Sequence, residues 1–153
     1  MHDGTRLLPY PADGGTGIGL VLRDYLRHRP DSPLAASEEG IRRSTEPEFV
    51  IQPNLFNGRA GLLSYLGRLR QDGPDEQLDE LIDRHRRLLA LHLIPYQGRP
   101  AFPGEQLIRL STDLGSGSAG VLLALGTVLA GTDGLPLTGT FGPARLLRPD
   151  RRP

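Results

Sequence analysis

The chain has 153 residues, of which 18 are basic, 18 acidic and none cysteine. A formal net charge of zero gives no electrostatic case for nucleic acid or for an acidic membrane surface. The lack of cysteine excludes disulfides, thiolate metal sites and a cysteine nucleophile.

In chain order, Pro9 and Pro11 make the first stretch irregular, and Asp13-Gly14-Gly15-Thr16 reads as a turn. Ile18, Val21, Leu22, Tyr25 and Leu26 then recur at helical spacing, which predicts a helix over 16–29 with these residues as its apolar stripe. Pro30 stops it. Ser32 and Pro33 suit the cap and first position of a second, weaker helix to about Arg43. Residues 45–56 contain Pro47 and Pro53 without periodicity and read as an extended loop. Helices are expected again over 58–70, with Leu62, Tyr65, Leu66 and Leu69 as the stripe, and over 75–91, capped by Asp75. On that last helix Leu78, Leu81, Ile82 and Leu89 are the buried side, and His85 lies on the same stripe, so a packed histidine is expected there. Apolar runs at 91–96 and 106–110 flank glycine and proline, which fits a small hairpin or a long irregular excursion. A last helix, 118–130, is apolar on nearly every side, as in the interior of something large. The arginine- and proline-rich stretch 143–153 is expected to be disordered. No secretory signal and no apolar run of membrane-spanning length occurs, so a soluble cytoplasmic protein is expected.

Three of these helices share a glycine-headed start. Asn57-Gly58-Arg59-Ala60-Gly61-Leu62-Leu63 is matched by Gly117-Ser118-Ala119-Gly120-Val121-Leu122, and more loosely by Gly14-Gly15-Thr16-Gly17-Ile18. The glycine-headed helices alternate with plainer ones, as inner and outer rings of helix pairs do. Such pairs bury little alone and need neighbours on both sides. The expected fold is therefore all-α: an incomplete α/α toroid of about three inner/outer helix units, with a small β-hairpin excursion. The head glycines can supply a positive backbone angle and close approach. They either serve only as turns and packing points, or leave helix-start N–H groups open toward a ligand. Gly115-x-Gly117-x-x-Gly120 matches a dinucleotide fingerprint, but no second strand and acidic residue follow at the right distance, and nucleotide binding is rejected. No histidine–acid pair accompanies Ser116 or Ser118, and a carboxylate pair for glycoside hydrolysis would have to come from Asp13 and Asp113, the two acidic residues near glycine turns.

The stretch Pro53–Leu63, the stretch from Leu8 through Gly14 to Leu22, and the stretch from Ala101-Phe102-Pro103-Gly104 to Leu125 resemble successive parts of lanthionine synthetase C-like (LanC-like) cyclase domains. The similarity is to the class III type, the C-terminal domain of kinase–cyclase lanthipeptide synthetases, and covers roughly residues 5–142. It implies a partial LanC-like toroid over 1–142. The implied reaction adds precursor-peptide cysteine thiols to dehydroalanine or dehydrobutyrine, giving thioether rings. The implied partners are the precursor peptide and upstream lyase and kinase domains. Zinc-dependent members carry a tryptophan-cysteine-x-glycine and a cysteine-histidine-glycine motif. Those frames fall here on Pro11-Ala12-Asp13-Gly14 and Phe56-Asn57-Gly58. None of the three ligand side chains is present, and Asp13 and Asn57 offer hard oxygen donors, so no metal or other cofactor is expected. The substrate-cavity candidates are Asp13, Asn57 and Arg59; no catalytic residue is assigned. The alternatives are a non-catalytic peptide-binding or scaffold module and a truncated, inactive remnant, and a chain of this length is expected to be inactive alone.

Overall fold

A computed structural model describes residues 8–132. Within them the chain is all-α apart from one hairpin. Helix α1 spans Gly15–His28, α2 Ala36–Ser44, α3 Arg59–Arg70, α4 Glu76–Ala90 and α5 Ser118–Ala130. Helix α3 packs between α1 and α5, α2 lies against α1, and α4 lies against α3. The glycine-headed helices thus stand side by side and the plainer ones back them. Their common core includes Leu20, Ile41, Leu55, Leu63, Leu66, Leu81, Leu89 and Val121. Among the described residues no helix is long and apolar enough to cross a membrane. The tail expected to be disordered, 143–153, lies outside them.

The local signals account for most boundaries. Ser32 accepts from the Leu34 N–H at 3.3 Å and starts a single 3-10 turn, Pro33–Ala35, before α2. Asp75 accepts from the Leu78 N–H at 3.0 Å and starts α4, whose predicted apolar residues Leu78, Leu81, Ile82 and Leu89 are all buried. The N–H of Gly131, in the left-handed region at φ 61°, bonds back to the Gly126 carbonyl and ends α5. The hairpin is tighter than the two apolar runs suggest. Its strands are β1, Ile94–Tyr96, and β2, Arg99–Ala101, in antiparallel register with Ile94 opposite Ala101. Gln97 and Gly98, at φ 49° and 73°, make the two-residue turn that matches strand twist. The second apolar run enters only through the Pro103–Leu110 bridge. No strand leads into Gly115 among the described residues, so the dinucleotide fingerprint has no sheet behind it.

The apolar stripe of α1 is largely uncovered: Ile18, Val21 and Tyr25 are exposed, Leu26 is half-buried and Leu22 is buried. The buried side carries Leu20 together with Gly15, Thr16 and Gly19, whose small size lets α3 come close. A Cβ on Gly19 would stand 2.7 Å from the Tyr65 ring. Helix α5 is likewise unwrapped on one side, with Leu122 and Leu129 exposed while Val121 and Ala124 are buried.

Candidate functional site

Each glycine-headed helix is preceded by a short loop folded across its N-terminus, and the three loops are built alike. The head glycines Gly14, Gly58 and Gly117 have φ of −150°, −150° and −116°. This is extended backbone that any residue adopts, so the expected positive angle is not what selects glycine here. Space selects it. A Cβ at each would land against the carbonyl six residues back, that of Leu8, Gln52 or Ser111. The glycine three residues on repeats the constraint, because Gly17, Gly61 and Gly120 face the carbonyls of Pro11, Leu55 and Leu114.

The loops spend the helix-start donors. The Gly15 N–H reaches the Leu8 carbonyl at 2.6 Å, Arg59 the Gln52 carbonyl at 2.9 Å, and Ser118 the Ser111 carbonyl at 2.9 Å. Thr16 and Ala60 then donate to Pro9 and Pro53, at 3.3 and 3.1 Å. Of the two readings of the glycines, packing prevails. The first N–H groups cap against the chain's own loops and do not open toward a ligand.

The loops also bond to one another in sequence. The Ala12 N–H donates to the Phe56 carbonyl at 3.2 Å, and the Phe56 N–H donates to the Gly115 carbonyl at 3.1 Å. Each of these three residues stands two before its head glycine, so the same step is taken twice. The positions just before the head glycines, Asp13, Asn57 and Ser116, fall on neighbouring loops as a result. Asp13 is exposed, while Asn57 and Ser116 are half-buried. The Asn57 N–H is held by Asn54 Oδ1 at 2.8 Å, and the Ser116 N–H by Asp113 Oδ1 at 2.6 Å, which is the same Asx-type turn in two copies. Asn57 Oδ1 is buried and has no hydrogen-bond partner. Hydrogen bonds from Ser111 and Ser116 hold the Asp113 carboxyl down at about 2, so this carboxylate is committed to its own loop.

Arg59 is placed elsewhere than its two companion candidates. It is buried, and its guanidinium points to α4 and the linker behind it. Nη1 donates to His85 Nδ1 at 2.8 Å, and Nη2 donates to the Glu48 carbonyl at 2.6 Å. His85 passes the contact on, its Nε2–H reaching the Thr45 carbonyl at 2.8 Å. Burial pushes the His85 imidazole down to about 4, and the Arg59 charge adds to this against the Thr45 bond. The pair pins the 45–56 loop to α3 and α4. The packed histidine was legible in the sequence; its arginine partner, on another helix, was not.

The residues in the zinc-ligand frames do not suit the metal. Ala12 and Phe56 have no donor atom, and the Asn57 amide oxygen is a hard ligand in a place where the frame calls for nitrogen. Among the described residues no group of three histidine, cysteine, aspartate or glutamate side chains gathers.

Of the cavities among the described residues, two bear on α1. A cleft of roughly 390 Å³ between α1, α2, α3 and the turn before α4 holds Arg23, Glu38, Arg42, Asp72 and Tyr65. Arg23 pairs with Asp72 there and Arg42 with Glu39, and burial pushes the Tyr65 hydroxyl up to about 12. A second groove of roughly 720 Å³ is almost wholly apolar and runs along the open face of α1 from Pro11 and Asp13 to Tyr25.

No protein-family model matches the chain. Over 157 aligned positions it is 40% identical to a protein of Streptomyces coelicolor named as a probable SapB synthase. The match takes in 100% of this chain and 17% of that protein, so the chain corresponds to a small part of its relative.

Proposed function

We propose that this chain is part of a zinc-less, class III LanC-like cyclase domain of a lanthipeptide synthetase, and that its three repeats are wedges of an α/α toroid. In the complete enzyme the domain joins a cysteine thiol of the precursor peptide to a dehydroalanine or dehydrobutyrine. The sulfur bonds to the β-carbon, the electron pair passes to the enolate, and the α-carbon then takes a proton. The observation that carries this reading is the repeated step of glycine-headed helix and interlocked loop. The 40% identity to a probable SapB synthase agrees with it. Lyase and kinase domains elsewhere in the polypeptide would supply the dehydrated peptide.

Asp13 and Asn57 are the groups this reading puts at the chemistry. Asp13 is an exposed carboxylate at the loop rim, placed to orient the incoming peptide by hydrogen bonding. Asn57 carries an unspent amide oxygen on the neighbouring loop. Arg59 enters as a positioning residue, because its contacts hold the loop that presents Asn57. The test uses the complete synthetase with a dehydrated precursor, scoring unreacted thiols by alkylation and mass spectrometry. Replacing Asp13 and Asn57 together by alanine should slow ring formation by about tenfold or more. Unchanged rings would remove both residues from the mechanism.

The spent helix-start donors and the commitment of Asp113 favour one other reading, a peptide-holding module without chemistry of its own. In that case the double variant would weaken precursor binding and leave the rate at saturating peptide unchanged.

A further inference from the structure

We propose that the cleft between α1, α2, α3 and the turn before α4 binds an organic cation with an apolar stem, of the kind a lysine or arginine side chain presents, and that Glu38 and the Tyr65 hydroxyl receive its charged end. The walls of this cleft all belong to this chain. Nothing in the proposal depends on the cyclase reading.

Tyr65 stands seven residues after its head glycine, where the other two repeats carry Val21 and Ala124. The packing of the repeat therefore calls for no polar group there. Tyr65 is 2% exposed, and its hydroxyl makes no hydrogen bond among the described residues. The ring runs between α1 and α2: a Cβ on Gly19 would meet it at 2.7 Å and Ile41 at 2.9 Å. Arg23 is one turn beyond Gly19 on α1, and Glu38 is one turn before Ile41 on α2. The hydroxyl thus enters the cleft between these two charged residues, both of which act on its titration. A polar group this deeply buried is costly to leave without a partner, and the partner has to come from the cleft.

The surrounding charges select the sign of the ligand. The lining carries Arg23 and Arg42 against Glu38, Glu39, Asp72 and Asp75, and is net negative. Arg23 is engaged by Asp72 and Arg42 by Glu39, while Asp75 caps α4. Glu38 is half-buried and has no ion pair or hydrogen bond among the described residues. An anion would be repelled by this carboxylate, and a neutral group would leave it uncompensated. An ammonium or guanidinium group donates to the Glu38 carboxylate and to the Tyr65 oxygen together. Leu69, Pro74 and Leu78 form the apolar part of the lining. They suit the methylene stem behind such a charge. At roughly 390 Å³ the cleft has room for one side chain of this type.

Amide NMR of the chain, titrated with N-acetyl-lysine N-methylamide, tests this. Shifts should concentrate at Glu38, Tyr65 and the turn from Asp72 to Asp75, and should saturate at millimolar probe. The arginine analogue should act alike. The norleucine analogue, which keeps a stem and lacks the charge, should not. Glu38→Gln should raise Kd about tenfold, and Tyr65→Phe about threefold or more. Neither side chain makes a polar bond within the fold, so thermal unfolding should be unchanged in both variants. Glu80→Gln, at an exposed position elsewhere on α4, should leave Kd where it was. Butylammonium separates the two sources of such a cation: weaker binding than the blocked lysine assigns the cleft to a peptide residue, equal binding to a free amine, and either supports the site. No saturable shift in the cleft at millimolar lysine probe overturns the proposal, as does equally tight binding of the norleucine analogue. A Kd that is unmoved in both Glu38→Gln and Tyr65→Phe also overturns it.

Discussion

At the scale of single residues, the most exposed consequence is that of His85. Its folded pKa is about 4, below the ordinary value of 6.5, chiefly because burial penalises the charged ring. The folded state thus binds fewer protons than the unfolded state between those two values, and stability must fall as pH falls through that window. The full loss is about 3 kcal/mol once the pH is below both values. Urea titrations near neutrality and near the lower end of the window should show the drop, and His85→Gln should flatten it. That variant should also lose about 2–4 kcal/mol at neutral pH, since Arg59 would keep a buried charge with a weaker partner. Loss of the pH slope without loss of neutral stability would mean that the histidine titrates without holding anything. The glycines give a cleaner contrast. Gly61→Ala pushes a methyl group onto the Leu55 carbonyl and the Pro11 ring, and no flexible side-chain end can yield there. Thermal unfolding should show a cost of about 2 kcal/mol or more. Gly40→Ala, inside α2 with nothing within 4 Å of the new methyl, should instead gain about 0.5–1 kcal/mol. Equal effects at the two sites would refute the close-approach account.

At the scale of elements, α4 behaves as an independent amphipathic helix with a side-chain cap. Asp75→Ala removes the acceptor of the Leu78 N–H and should cost about 1 kcal/mol in urea unfolding. Asp75→Asn, which keeps an acceptor, should cost much less. Helix α4 was also the most legible element. One face is wet and the other covered, so Leu78, Leu81, Ile82 and Leu89 could be assigned from periodicity alone. Helix α1 shows where that logic stops. Its largest side chains form a stripe, yet the covered side is the one carrying Gly15, Thr16 and Gly19. Periodicity finds an apolar face but does not say that a neighbour is present to cover it. The repeat does carry the signal, because Gly19 stands at the position of buried Leu63 and Ile18 at that of buried Leu62. At the site, the glycine heads announced the loops, while the direction of the helix-start N–H groups depended on carbonyls seven residues earlier. Arg59 illustrates the remaining limit. A residue one past a head glycine reads as a cavity group, and nothing local reveals a partner as distant as His85.

For the whole molecule, the repeats predict a gradient of stability. Each repeat contacts its neighbours only, so a repeat held on both sides should open last. Helix α3 is covered by α1, α4 and α5, and Arg59 through Gly67 are all buried. Helices α1 and α5 each have one apolar face without a neighbour among the described residues. Native-state hydrogen exchange should therefore find the slowest amides in α3, around Leu62–Leu66, opening only by global unfolding. The amides of α1 and α5 should exchange by smaller openings that depend less on denaturant. Equal protection across the three helices would mean a single cooperative unit. Stacked repeats with open ends could not account for that result.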